Sequence, residues 1–310
     1  MKSYPLFAIV SIVSLVSLFL FIAPPDQTSS RSVKALWESG HIIGFAIWIV
    51  IIQNKWKKLA TYPVFFQISL LLLISLLLGI LIELLQTFIA ERIASPMDVV
   101  RDIAGSLFAI AFFNSQLQKT STLHKTSIKV LASSVVIFVL IPLFSVAADD
   151  ILANSQFPVI ADFESPFELS RIESSMKVAL DEQLHHHGKR SMKVVLEPAR
   201  YSGFHLRAFP RNWRPFNSLK FSIFNHANYK IYMTCRISDI NHNHSHGDRF
   251  NRKFAANPGW NHISIPLTDV NNAPINRKMD MTAIKHIGIF ITALDKPVEV
   301  NIDYIRLSKE

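Results

Sequence analysis

Five long apolar runs in the first half of the chain constrain its fold more than any other feature. They cover residues 4–23, 37–53, 64–88, 97–113 and 128–147. A hydrocarbon layer of about 30 Å is crossed by roughly 20 apolar residues in helical form. Each such run must be a helix, because lipid offers its backbone polar groups no partner. The runs differ in quality. His41 interrupts the second, the third is rich in leucine, and the fourth carries Asp98, Arg101 and Asp102 near its start. The first also fits a secretory signal peptide, with Lys2 before an apolar core. Pro24-Pro25 directly after it suits a cleavage site poorly, so five spans are expected.

Lys and Arg in short loops set orientation. Lys55, Lys57 and Lys58 follow the second run, and Lys119, Lys125 and Lys129 follow the fourth. With Lys2 these lie on one side in a five-span chain. The opposite loops mix signs, with Asp26, Arg31, Lys34 and Glu38 in one and Glu91, Arg92, Asp98 and Arg101 in the other. The expectation is a multi-pass protein of the bacterial inner (cytoplasmic) membrane. Its N-terminus is cytoplasmic and its C-terminal half extracytoplasmic. The net charge of +9 forms no single block, which argues against a nucleic-acid partner and leaves the lipid bilayer as the expected one.

Ionisable groups within spans are costly, at about 2.5–3.5 kcal/mol near a helix centre. Glu83 therefore needs a reason. Gly79, Glu83 and Gln86 share one helical face, as do Asp98, Asp102 and Gly105. Gly79 would admit another backbone. Ser95-Pro96 reads as a helix start, with Ser95 as cap. The topology brings His41, Glu83, Gln86, Arg92, Asp98 and Asp102 to one depth. Two readings stand: mutual pairing, in which Arg92 neutralises Asp98 or Glu83, or a polar pocket for a head group, a cation or a proton. A histidine beside carboxylates is also a donor set for a divalent metal, although the spacing is not a metal motif.

The stretch with Glu83, Gln86, Arg92, Asp98, Asp102 and Gly105, together with His41, resembles the VanZ-like family of membrane proteins over residues 1–147. The family pattern ends one span on Glu and Gln, passes an Arg and an Asp, and opens the next span with Asn and Gly. Asp102 stands where that Asn is expected, which changes the charge of the pocket. The resemblance implies a cell-envelope role, linked in the family's named member to glycopeptide-antibiotic resistance, and no particular reaction.

Beyond a linker at 148–156, residues 157–310 alternate in short runs broken by turn residues. Eight strands are expected, at 159–163, 191–196, 204–209, 219–224, 231–237, 260–265, 286–291 and 298–302, with a helical turn at 280–283. This pattern predicts an all-β antiparallel sandwich. The opening 160–164, the 187–194 hairpin, the 258–267 strand and the closing 302–307 resemble galactose-binding-like or carbohydrate-binding-module-like jelly rolls. Candidate glycan contacts are Trp213, Trp260, Tyr201, Asp239 and Arg249, since sugars are held by an aromatic face and a few polar groups. Trp213 and Trp260 are equally readable as packing residues. The triplet 185–187 reads as solvated, and the His-rich loop 239–249 has no defined ligand spacing. Asp162, Glu164 and Asp303 fit a structural Ca²⁺ or a hydrogen-bonding role. No cofactor is otherwise implied.

Cys235, the single cysteine, excludes an intramolecular disulfide and a CxxC motif. No Gly-rich phosphate loop, HExxH or serine triad order appears. The leading expectation is a non-catalytic envelope protein whose outer domain binds an envelope polysaccharide or lipid-linked glycan. An enzyme or transporter of a lipid-linked envelope intermediate, working through Glu83, Arg92 and Asp98, is the alternative. A membrane-anchored protein-interaction module is the third reading.

Overall fold

The computed structural model describes residues 30–89 and 94–310. The expected first span, its signal-peptide reading and Arg92 lie outside the described residues. The chain divides into two compact units, Met1–Ser145 and Val146–Glu310.

Helices α1 (Arg31–Glu38), α2 (Gly40–Lys55), α3 (Val64–Gln86), α4 (Pro96–Phe113) and α5 (Thr122–Gln156) account for the first half. Three stretches, Arg31–Lys55, Val64–Gln86 and Thr122–Gln156, are long and apolar enough to cross a membrane. The fourth expected span is the 18-residue α4, whose first two turns carry Asp98, Arg101 and Asp102. The expected linker at 148–156 is helical, the end of α5. That run lacks the Gly and Pro that would stop a helix.

α3 is inverted relative to a helix of a water-soluble protein. Its buried positions include Gln67, Ser75, Gly79, Glu83 and Gln86, while Phe65, Leu77 and Leu84 are exposed. Ser75 is 1% exposed and Leu77 59%. A helix in lipid presents apolar side chains outward and keeps polar groups within the bundle. α4 buries Ala104, Gly105, Ser106, Ala109 and Ala111, small residues that let helices approach closely. At Gly105 the approach is so tight that a Cβ would collide with the carbonyl oxygen of Ile42 on α2. At the other end of the bundle Asn114 donates to Gln67 Oε1 at 3.0 Å, and its own Oδ1 accepts from the N–H groups of Gln116 and Leu117.

The second unit is an antiparallel β-sandwich of jelly-roll type. Its strands are β1 (Val159–Ala161), β2 (Ile172–Glu173), β3 (Lys177–Asp181), β4 (Ser191–Leu196), β5 (Tyr201–Leu206), β6 (Ser218–Asn225), β7 (Ile231–Asp239), β8 (Phe250–Ala256), β9 (Gly259–Pro266), β10 (Ile284–Thr292) and β11 (Val298–Ser308). One sheet runs β3-β4-β11-β6-β9, with β1 also pairing β11. The other runs β2-β5-β10-β7-β8. Inward residues alternate along each strand, as the two-residue period requires. Val194, Ile223 and Ile302 face Phe204, Met233 and Ile289 in one core. Cys235 is wholly buried there, and burial pushes its thiol up to about 12, so it is a core residue and no nucleophile. β2, β3 and β8 were not expected from the sequence. A short helix, α6 (Leu267–Asn271), is also unanticipated, whereas 280–283 forms only a turn, closed by Ala283 N–H to Asp280 O at 3.0 Å.

Candidate functional sites

In the helical unit, four of the six expected residues, His41, Glu83, Asp98 and Asp102, are brought together. His41, Glu83, Gln86, Asp98 and Asp102 are all buried, and the sixth, Arg92, is not described. His41 sits in the first turn of α2, with Asp102 against it from α4. His41 Nδ1 and Asp102 Oδ1 are 2.9 Å apart. Asp102 packs on α3 at Gly79, where a Cβ would lie 2.7 Å from Asp102 Oδ2. The glycine expected to admit a backbone thus admits a carboxylate instead, while Gly105 makes the backbone contact.

Asp98 is paired with Arg101, one turn along α4, and Arg101 also reaches Glu38 at 3.0 Å. Neither Arg101 nor Glu38 was in the expected cluster. The i,i+3 spacing of Asp98 and Arg101 was the available signal. Ser95 makes no side-chain cap; its backbone N–H donates to Glu83 Oε2 at 2.5 Å. Glu83 therefore ties the start of α4 to the end of α3. His41 Nε2 lies 3.9 Å from Asp98 Oδ2, too far for a hydrogen bond. Ligand atoms of His41, Glu83 and Asp98 all lie within 4.8 Å of one another. Among the described residues this is the one such group able to hold a metal ion.

In the sandwich, the outer face of the β2-β5-β10-β7-β8 sheet carries a groove of about 520 Å³ lined by Tyr201, His205, Arg236, Arg249 and Phe290. Alternation along β5 buries Ser202, Phe204 and Leu206 and turns Tyr201, Gly203 and His205 outward. Phe290 lies across from Gly203 in register. A Cβ on Gly203 would clash with the Phe290 backbone, so the glycine makes room for the ring's strand. The Tyr201 and Phe290 rings meet at 5.8 Å, and the Arg236 guanidinium lies over Phe290 at 4.6 Å. Tyr201 is 55% exposed.

Two histidines of this face, His205 and His286, are pushed toward the neutral form. His205 and His286 stack at 4.5 Å. Burial, then His205 and the guanidiniums of Arg207 and Arg236, push His286 down to about 3. His205 is lowered by burial and then by Arg236.

The other expected glycan contacts lie elsewhere. Trp213 is fully buried in the core, its indole N–H on Pro210 O at 3.2 Å, and offers no sugar a surface. Asp239 is buried and taken by Arg277, at 2.8 Å from Nη2 to Oδ1. Arg277 also grips Asp248, with Nε to Oδ1 at 2.6 Å, and so holds Asp248 near 2. Trp260 stands on the outer face of the opposite sheet, with Phe224 at 5.4 Å and His186 at 5.5 Å. His186 also meets the His262 ring at 4.4 Å and His187 stacks on Tyr304 at 3.7 Å, so two members of the triplet expected to be solvated make ring contacts.

The residues considered for Ca²⁺ act as hydrogen-bond acceptors. Asp303 Oδ2 accepts from the N–H groups of His186 and His187 at 2.6 and 2.8 Å. Glu164 Oε1 accepts from those of Lys189 and Arg190 at 2.6 and 2.9 Å, and Asp162 Oδ1 from that of Glu164 at 3.3 Å. Asp303 and Glu164 pin the 182–190 loop, and the ligand atoms of the three do not form a common group.

The solved structures similar to the β region include two carbohydrate-binding modules and an agarase. A family 11 carbohydrate-binding module from Clostridium thermocellum, in complex with a β-1,3-1,4-mixed-linked tetrasaccharide, is 17% identical over 48% of this chain and 94% of that one, with a TM-score of 0.37. An exo-β-agarase is 16% identical over 49% of this chain and 25% of that one, with a TM-score of 0.41. A family 30 carbohydrate-binding module of a cellulosomal cellulase from the same Clostridium is 15% identical over 45% and 87%, with a TM-score of 0.33. No family model matches the chain, and no curated protein does.

Proposed function

We propose that this chain is a membrane-anchored glycan-binding protein of the bacterial cell envelope. The helical unit is the anchor, and the outer face of the β2-β5-β10-β7-β8 sheet is the binding surface. The observation that carries the reading is that face itself. An exposed Tyr201 stands beside Phe290, within reach of Arg236 and Arg249, in an open groove. A planar ring against the C–H face of a pyranose, with forked donors around it, is the chemistry that holds a sugar. The inverted polarity of α3 supports the anchor, and the lysine-rich connections support a cytoplasmic N-terminus with the sandwich on the far side. The test is a glycan array probed with the full chain in nanodiscs. Envelope polysaccharides are expected to retain it, and Tyr201→Ala to weaken retention about tenfold. An array that retains nothing contradicts the reading.

A second reading is favoured by the convergence of His41, Glu83 and Asp98. In it the VanZ-like helical unit holds the head group of a lipid-linked envelope intermediate and acts on it. Asp98→Asn and Glu83→Gln, in a chain that still inserts, are then expected to abolish an envelope phenotype of the deletion strain. Full complementation by both variants leaves the cluster a structural network.

A further inference from the structure

The groove is cationic as well as aromatic, and its charges are not cancelled from within. Arg236, Arg249 and Lys253 line it. Arg236 donates to the neutral Asn251 at 3.3 Å, and Lys253 lies over the ring of Tyr232 at 5.0 Å. Arg249 Nε is buried with no hydrogen-bond partner. Among the described residues, no carboxylate forms an ion pair with Arg236 or Arg249. The lining carboxylate, Glu173, sits at the sheet edge and is paired with Arg207 at 2.6 Å. The carboxylates nearest in sequence to Arg249, Asp239 and Asp248, are both engaged by Arg277.

Two guanidiniums sharing one groove without an anion repel each other. Arg236 is lowered, first by burial and next by Arg249. An anion placed between them gains charge-assisted hydrogen bonds and relieves that repulsion. A neutral sugar gains only the weaker bonds and leaves the repulsion in place. Arginine's planar fork also matches a carboxylate or a sulfate bidentately.

We propose that the glycan bound on this face is anionic, bearing a carboxylate or sulfate that Arg236 and Arg249 grip while Tyr201 stacks on a sugar ring. This rests on the glycan-binding reading above and narrows its ligand. The experiment measures binding of the full chain, in nanodiscs of zwitterionic lipid, to four polymers. Polygalacturonate carries carboxylates and dextran sulfate carries sulfates, while dextran and mixed-linkage β-glucan are neutral. One or both polyanions are expected to bind, and binding is expected to weaken as salt rises. Arg249→Gln, which breaks no ion pair, is expected to reduce it about tenfold at an unchanged melting temperature, the loss of one hydrogen bond to a charged group. Binding of a neutral polymer on this face, with neither polyanion bound, overturns the proposal and leaves the glycan reading standing. Polyanion binding that is indifferent to both Arg249→Gln and Lys253→Gln overturns it too, since the charge then acts elsewhere. Binding of none of the four removes both.

Discussion

Arg171 and Asp149 form a buried ion pair within the second unit. Both side chains are fully buried, with Nε and Nη2 of Arg171 at 3.0 and 2.8 Å from Asp149 Oδ1. Arg171 Nη1 adds a bond to Ile160 O at 2.6 Å. A fork that satisfies two carboxylate contacts and a carbonyl compensates part of the desolvation cost of both charges. Removing one partner strands the other in the core, so Asp149→Ala is expected to destabilise the sandwich by about 3–5 kcal/mol, read as a drop in its thermal unfolding midpoint. An unchanged midpoint contradicts the pair's role. Composition marks Asp149 and Asp150 as the polar end of an apolar run, which reads as a domain boundary. That reading misses the ion pair because its partner lies 22 residues on, at the end of a six-residue 3-10 helix rather than in a periodic segment. Trp213 is open to two readings in the sequence, a sugar platform or a packing residue, and tertiary packing places it in the core. Of the residues that line the groove, the sequence singles out Tyr201 and Arg249 but not Phe290. Its outward position depends on strand phase and its cover on neighbouring strands, and neither shows in a run of isoleucines.

At the scale of elements, apolar length and two-residue alternation carry most of what the sequence says. The three membrane-length stretches among the described residues fall on expected runs, and all eight expected strands overlap observed ones. β2, β3 and β8 escaped because their intrinsic pattern is weak. β8 reads Phe-Asn-Arg-Lys-Phe-Ala-Ala and owes its conformation to continuous pairing with β7. β2 has only two residues, and β3 only five, of which just Val178 and Leu180 pack on the core. The connections between helices carry the orientation argument, which lysine placement makes testable. Cys235 is buried and so silent toward reagents, which leaves the natural chain as a blank. With Lys57→Cys and Asn228→Cys introduced singly, a membrane-impermeant maleimide is expected to label Asn228→Cys in intact spheroplasts. Lys57→Cys should label only after permeabilisation. The reverse pattern contradicts the proposed orientation.

At the scale of the whole molecule, the chain joins two solutions to the burial of polar groups. The helical unit turns polar residues such as Ser75 and Glu83 inward and leucines such as Leu77 and Leu84 outward. The sandwich does the opposite, with a continuous apolar core and polar outer faces. A mean hydropathy of +0.27 averages these two regimes and describes neither. Each unit concentrates its unusual chemistry in one place, the His41–Asp102–Asp98 network in one and the Tyr201–Phe290–Arg236 face in the other. Everything proposed for the sandwich turns on which of its surfaces meets a ligand. Hydrogen exchange of the full chain in nanodiscs, with and without a glycan retained on the array, tests this most directly. Added protection is expected in β5 and β10, over residues 201–206 and 286–292, and in β7 around Arg236. Protection confined to the opposite sheet, around Trp260 and the 182–190 loop, would contradict the proposed binding surface.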